Sequence, residues 1–342
     1  MNIRRIAELA GVSVATVSRV FNHPERVLPE TRERVLAVTE KYNFTPNWFA
    51  RGLTLGTTKT IALLIQGIDS FLSQNIISGV ETVANNKGYV VIFCQTRGDR
   101  ETEFNFLKLM KTRKADGIIQ VGSRLTPESM PELLELDMPR VHIGKNRECG
   151  CDMICYLDYE EAAYRLVSHL VGLGHRTIRL LHNPVTDADI AQAFEAGLNR
   201  LASHLSMSIA FSVQEGENST RGGYQALQKI MGGHKLPHVL VTSSDLQAIG
   251  ALKAARDAGL RIPQEMALAS FNDSPVCSVV SPALTCLEMP AVKLGMAAAR
   301  LLFDRIEDED PDAEVSQELI LQPKLKIRES CGNKTGIFEL FD

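Results

Sequence analysis

The chain opens on a helical rhythm. Ile3, Ile6, Ala7 and Ala10 recur at the i, i+3, i+4, i+7 spacing of an amphipathic helix, and Gly11 stops it. Ser13 is a good N-cap for a second helix, in which Val17, Val20 and Phe21 share one face and Val14, Ala15, Ser18 and Arg19 the other. A third stripe, Val35, Val38, Thr39 and Tyr42, follows Pro29 at a first helical position. From Ile61 the pattern becomes short continuous apolar runs, Ile61–Ile65, Val90–Cys94, Gly117–Val121 and Arg140–Ile143, with amphipathic stretches between them. That alternation predicts βαβ units and a parallel sheet covered on both faces. It restarts after Asp158 with Thr177–Leu181, Ser208–Phe211, His238–Val241 and Met266–Ala269, so the body reads as two α/β lobes with a cleft between them.

Two helices joined by a tight Gly-containing turn can set the second into the DNA major groove. Its outer face would then meet base edges. Arg19 can donate a bidentate pair to guanine, Val14 and Ala15 offer apolar contact for a thymine methyl, and Ser13, Thr16 and Ser18 suit phosphates. Charge favours the same end. Residues 1–58 hold eight basic and five acidic groups, a net +3, whereas the rest of the 342-residue chain carries −7. The linker is unlike a Gly/Ser tether, because Pro46 to Thr54 includes the only Trp of the chain, Trp48.

The runs Ile6 to Asn22, Thr31-Arg32 and Tyr42 to Asn47 resemble the head of the lactose/galactose-repressor (LacI/GalR) family of bacterial transcriptional regulators. Val14-Ala15 is closer to its galactose-repressor branch. The resemblance implies an all-α helix-turn-helix head over residues 1–45, a hinge helix and linker over 46–59, and an α/β body over 60–329 with the two-lobed fold of type I periplasmic binding proteins. The first lobe would take about 60–157 and 291–319, the second about 158–289 and 320–329, with crossings near Asp158, Met289-Pro290 and Leu319 to Gln322 and a tail from 330 to 342. It implies DNA contacts from Asn2, Ile3, Ser13, Val14, Ala15, Thr16, Ser18, Arg19, Asn22, Arg26 and Thr31, and from Asn47, Ala50 and a minor-groove wedge, Leu53, in the hinge. Leu28 departs from the family, which usually has Ser there; Leu cannot cap the third helix, so its start should be slightly frayed. The partners implied are double-stranded operator DNA of pseudo-palindromic sequence, a second copy in a homodimer, and a small-molecule effector in the cleft. The place implied is the bacterial cytoplasm at the nucleoid.

Effector contacts are expected on loops at the carboxyl ends of the strands. Candidates are Phe71, Arg124, Lys145, Asp187, Phe194, Asn218, Ser244, Asp245, Asn272 and Asp273. Several depart from the sugar-binding members of the family. Phe194, three residues before Gly197, stands where those members carry Arg; Asn218 replaces an aromatic, Ser244 an Asn, and Phe271-Asn272-Asp273 a Tyr-Asp pair. The set suits a charged or nucleoside-like ligand better than a simple hexose, and its alternative is a degenerate pocket governed by a protein partner or by nothing. Asp245 precedes a helix and reads equally as an N-cap. No phosphate loop, Gly-x-Gly-x-x-Gly after the first strand or Gly-x-Ser-x-Gly elbow is present, so an enzyme is not expected, and no cofactor. Seven cysteines in an odd, scattered set imply a reducing compartment; Cys149, Cys151 and Cys155 lack metal spacing and read as thiols around a surface loop.

Overall fold

The computed structural model describes residues 1–44, 57–151, 153–184, 186–233, 235–308 and 317–332. The head consists of α1 (Ile3–Ala10), α2 (Val14–Asn22) and α3 (Pro29–Lys41), closing on a core of Ile6, Ala7, Ala10, Val17, Val20 and Val35. The apolar stripes converge there because each helix has one buried face. Asn2 caps α1, accepting from Arg5 N at 3.0 Å, and Gly11 ends it in the left-handed conformation at φ +64. At the start of α3, Leu28 makes no side-chain cap and is 75% exposed. The helix nonetheless begins cleanly at Pro29, which has no amide to satisfy, while Thr31 and Arg32 N–H both reach the Leu28 carbonyl at 3.0 Å. Tyr42 does not join the core. It lies past the helix end, 39% exposed.

The body contains two six-stranded sheets. In the first, β1 (Thr60–Ile65), β2 (Val90–Gln95), β3 (Gly117–Val121), β4 (Arg140–Ile143), β5 (Met153–Leu157) and β11 (Gln317–Leu321) lie in the order β11-β5-β4-β3-β1-β2, all parallel. On one face α4 (Phe71–Asn86) and α10 (Ala291–Ile306) enclose the largest apolar cluster of this lobe; α5 (Arg100–Thr112) covers part of the other. In the second, β6 (Thr177–His182), β7 (Ala210–Glu215), β8 (Val239–Thr242), β9 (Ala267–Ser270), β10 (Thr285–Glu288) and β12 (Lys324–Lys326) follow the order β12-β10-β9-β8-β6-β7. Its helices are α6 (Tyr159–Gly172), α7 (Ala188–Leu205), α8 (Thr220–Met231) and α9 (Asp245–Asp257).

Several differences from the sequence reading have plain causes. β12 runs antiparallel to β10, so this sheet is mixed, as an edge strand fed by a short return allows. β7 begins at Ala210 and runs to Glu215; this edge strand buries none of its residues and so needs no continuous apolar run. The stretch read as a thiol-bearing surface loop is buried: Cys155 lies in β5, Cys149 and Cys151 in the covered approach to it, and Cys94, Cys277, Cys286 and Cys331 are buried too. At the C-terminal end, β11 stays in the first sheet through Leu321 rather than leaving it at 319. Ser330 and Cys331 are fully buried in the second lobe, not part of a tail; Ser330 Oγ donates to Leu268 O at 2.6 Å and accepts from Thr285 N at 2.9 Å.

Helix pairs approach through glycine. A β-carbon on Gly79 of α4 would run into the Val292 carbonyl of α10, and one on Gly295 of α10 into the Ile76 carbonyl of α4. Gly223 and Gly250 play the same reciprocal part between α8 and α9. Gly79→Ala should therefore force this helix pair apart and destabilise the protein by about 1–3 kcal/mol, read from the denaturant midpoint.

Beneath the first sheet lies a polar cluster. Gln120 Nε2 donates to Glu103 Oε1 at 3.0 Å, and Arg140 donates to the Gly150 carbonyl at 2.5 Å. His142 is 1% exposed with Nδ1 unpartnered, and burial draws its pKa down to about 4. An unfolded chain takes up that proton from about pH 6.5 downward, so stability falls as pH drops from about 6.5 to 4. Burial raises the pKa of Glu103 above the ordinary carboxylate range, so within the same pH window this carboxyl acts in the opposite sense. His142→Gln should remove up to about 3 kcal/mol of that slope, measured by urea unfolding across this pH range.

Candidate DNA interface and effector cleft

The open face of α2 is built from its start. Ser13 Oγ accepts from Thr16 N at 3.1 Å and lies 2.9 Å from Thr16 Oγ1, which fixes the first turn. With Val17 and Val20 in the core, the 100° turn per residue puts Val14, Ala15 and Arg19 on the outside, all exposed. Ser18 is half-buried and accepts from Asn22 Nδ2 at 3.2 Å, so these two are tied together along the helix. Arg26 is exposed on the turn after α2, 3.6 Å from Glu25. Thr31 is half-buried on α3. Asn2 is exposed at the α1 cap, and Ile3 packs partly against the head core. Asn47, Ala50 and Leu53 lie outside the described residues.

The chain passes between the two sheets after β5, after β10 and after β11. Each passage leaves a strand at its carboxyl end, so the carboxyl ends of both sheets face the crossing. Two crossings are tied together: Asp158 N donates to Leu321 O at 3.0 Å and Gln322 Nε2 to Asp158 Oδ2 at 3.0 Å. Tyr159 and Met289, each beside a crossing, pack against the cores of both lobes. Burial, with the charges of Asp189 and Asp187, raises the Tyr159 pKa.

On the first-lobe side Phe71 is half-buried at the start of α4, and Arg124 and Lys145 are exposed on the loops after β3 and β4. Asn146 Nδ2 steadies the first of these loops, donating to Ser123 O at 3.3 Å and Leu125 O at 3.2 Å. On the second-lobe side Asn218 and Asn272 are half-buried after β7 and β9.

The other candidates are engaged elsewhere. Phe194 is fully buried, its ring 5.6 Å from that of Phe211 and 5.8 Å from that of Phe271, so it is a core residue without a surface for a ligand. Asp187 accepts from Ser243 Oγ at 2.6 Å, Thr186 Oγ1 at 2.7 Å and Asn183 N at 3.1 Å, which makes it a loop brace. Gln247 Oε1 lies 3.0 Å from the same Ser243 hydroxyl and competes for its proton, and Gln247 Nε2 donates to the carbonyls of Gly216 and Glu217 at 3.2 and 3.1 Å. This network stitches the loops after β6, β7 and β8 together, and sequence reasoning missed Ser243 and Gln247 in it. Asp273 forms a bidentate pair with Arg328 at 2.7 and 2.8 Å. It is also near Cys277 and Cys286, but its carboxylate is already held by the guanidinium. Ser244 is the N-cap of α9, accepting from Gln247 N at 3.3 Å; Asp245, 5% exposed, is its first residue rather than its cap.

Among the described residues no helix is long and apolar enough to cross a membrane. The pattern of the bacterial regulatory proteins of the lacI family matches residues 2–47, and that of the periplasmic binding protein-like domain matches residues 167–331. The chain is 28% identical to the HTH-type transcriptional repressor PurR of Haemophilus influenzae (strain PittEE) over 330 residues, 96% of this chain and 98% of the relative. It is 28% identical to catabolite control protein A of Priestia megaterium over 334 residues, 96% and 99% of the two chains. Its fold is similar to that of the lac repressor dimer bound to operator and the anti-inducer ONPF, with a TM-score of 0.84, 23% identity, and 97% and 99% of the two chains covered. With a lacI-family helix-turn-helix head joined to a two-lobed body of the periplasmic-binding type, the chain is similar to the LacI/GalR (lactose/galactose repressor) family along nearly its whole length and is a DNA-binding transcriptional regulator.

Proposed function

We propose that the protein is a cytoplasmic, nucleoid-associated repressor that binds a pseudo-palindromic operator as a homodimer, each α2 reading one half-site. The observation that carries this reading is the display on α2 of Arg19 beside Val14 and Ala15, on a face that the head core leaves open. Arg19 donates to a guanine, Val14 and Ala15 meet methyl groups, and Ser13, Thr16, Ser18, Asn2, Asn22, Arg26 and Thr31 contact phosphates or set the helix. Asn47, Ala50 and Leu53 would add minor-groove contacts. A homodimer is supported by the fold's likeness to a dimeric repressor and by apolar side chains that one copy leaves in water, Val279 at 75% and Val90 at 58% exposure among them.

The effector reading narrows to Phe71, Arg124, Lys145, Asn218 and Asn272, which are exposed or half-buried where the strands of both sheets end. Two cations and an aromatic ring suit an anionic or nucleoside-like ligand. Burial of Phe194 where sugar-binding members carry Arg favours a second reading, in which the cleft is degenerate and control comes from a protein partner or is absent.

Arg19→Ala should cost about 1–3 kcal/mol on the selected operator and relax preference at one base pair per half-site, while binding to random duplex changes little. Equal losses on both duplexes would contradict its role. Calorimetric titration of the full chain with sugars, nucleosides, nucleotides and amino acids should give heat with the charged or nucleoside-like compounds and lose it in Arg124→Ala; silence throughout selects the second reading.

A further inference from the structure

The described chain resumes at Thr57, in the last residues of the segment read as hinge helix and linker, and its first three residues close on one carboxylate. Asp116, the residue before β3, accepts from Thr57 Oγ1 at 2.5 Å, Thr58 N at 2.8 Å, Thr58 Oγ1 at 3.0 Å and Lys59 N at 2.9 Å. Its own N–H donates to the Thr60 carbonyl at 2.8 Å, and Lys114 O, 2.9 Å from Thr58 Oγ1, shares that hydroxyl's one proton with Asp116. Lys59 is left-handed at φ +50, a conformation that residues with a β-carbon keep only where their surroundings impose it. Asp116 holds its amide, Val90 N donates to its carbonyl at 2.9 Å, and its ammonium lies 4.4 Å from the Tyr89 ring centre. Starting a strand does not require this, since the ladders of β1 with β2 and β3 already fix the chain from Thr60 and Ile61 onward.

The far ends of the same strands are joined too. β1 and β3 are parallel neighbours, and past their carboxyl ends Gln66 Nε2 donates to Gly122 O at 2.8 Å, at the opening of the loop that carries Arg124. A stiff pair of strands, about 17–20 Å long, thus runs from the effector-side loops to the carboxylate that grips the end of the linker.

We propose that Asp116 is a positioning residue for DNA binding. Through Thr57, Thr58 and Lys59 it fixes the place and direction in which the linker leaves the first lobe, so that a rotation of that lobe is delivered to the DNA-reading segment instead of being lost at a swivel. The inference rests on the reading of the chain as an operator-binding regulator. Asp116 touches neither DNA nor ligand; it acts through the three residues it holds.

The test uses the full chain and a duplex selected by the wild type from a random pool. Asp116→Asn should weaken binding to that duplex about tenfold or more, with binding to a scrambled duplex, dimer mass and thermal midpoint all nearly unchanged. Thr57→Val combined with Thr58→Ala should lose affinity in the same way. Joining all three changes should lose no more than the worse of the two variants, because each removes the same contact. Unchanged affinity in Asp116→Asn, additive losses, or equal losses on both duplexes with a lowered thermal midpoint would each overturn the proposal. If Asp116→Asn does not fold, the threonine pair decides alone: selective loss supports the anchor and no loss removes it. A wild type that selects no duplex refutes the regulator reading itself and the anchor with it, a result distinct from a selective wild type matched by its variants.

Discussion

Three covalent passages between two sheets, all leaving from carboxyl ends of strands, are the constraint on which this molecule depends. Two lobes joined once could wander; joined three times, with Asp158 bonded to both Leu321 and Gln322, they can turn about the crossing but not part. That limits a response to ligand to a small family of rotations. It also brings the loops of both sheets to one place, where short polar side chains from many strands meet without any one strand having to bend toward the site.

The head lives under a different limit. Six fully or nearly fully buried side chains make its core, all small or medium aliphatic ones, and so few contacts support only three short helices. What this small core does is orient α2. Burying Val17 and Val20 settles which way Val14, Ala15 and Arg19 face, so one side of the helix packs and the other is left open. The uncapped start of α3 shows how much local irregularity this tolerates: a proline at the first helical position removes the need for one hydrogen bond, and the exposed Leu28 does no packing in its place.

Much of this was legible in the residues because period and chemistry agreed. The stripes of α1 and α2, the glycine stop at Gly11 and the apolar runs of β1, β3, β4, β8 and β9 each announced their element. The misreadings share one cause, tertiary context overriding local pattern. Tyr42 continued a stripe but fell beyond the helix, and β7 and β12 at the sheet edges have no continuous apolar run. Cys149, Cys151 and Cys155 looked like loop residues, yet β5 and its approach are covered on both sides. In the cleft, no spacing rule could reveal that Asp187 is bonded to Ser243, that Asp273 is bonded to Arg328, or that Phe194 turns inward; those are meetings between residues far apart in the chain. Asp116 was invisible for the same reason, since its partners precede the amino end of a neighbouring strand, far away in the sequence.

The seven buried thiols, none of them in a disulfide, give this fold a built-in reporter. A reagent that attacks sulfur reaches them only when the structure breathes, so the pace at which each cysteine is labelled measures how often its neighbourhood opens. Cys94 and Cys155 keep time for the first lobe, Cys286 and Cys331 for the second, and the head, which carries none, stays silent. The two halves of the body can therefore be timed separately in one untouched wild-type sample, without adding a dye or a probe residue.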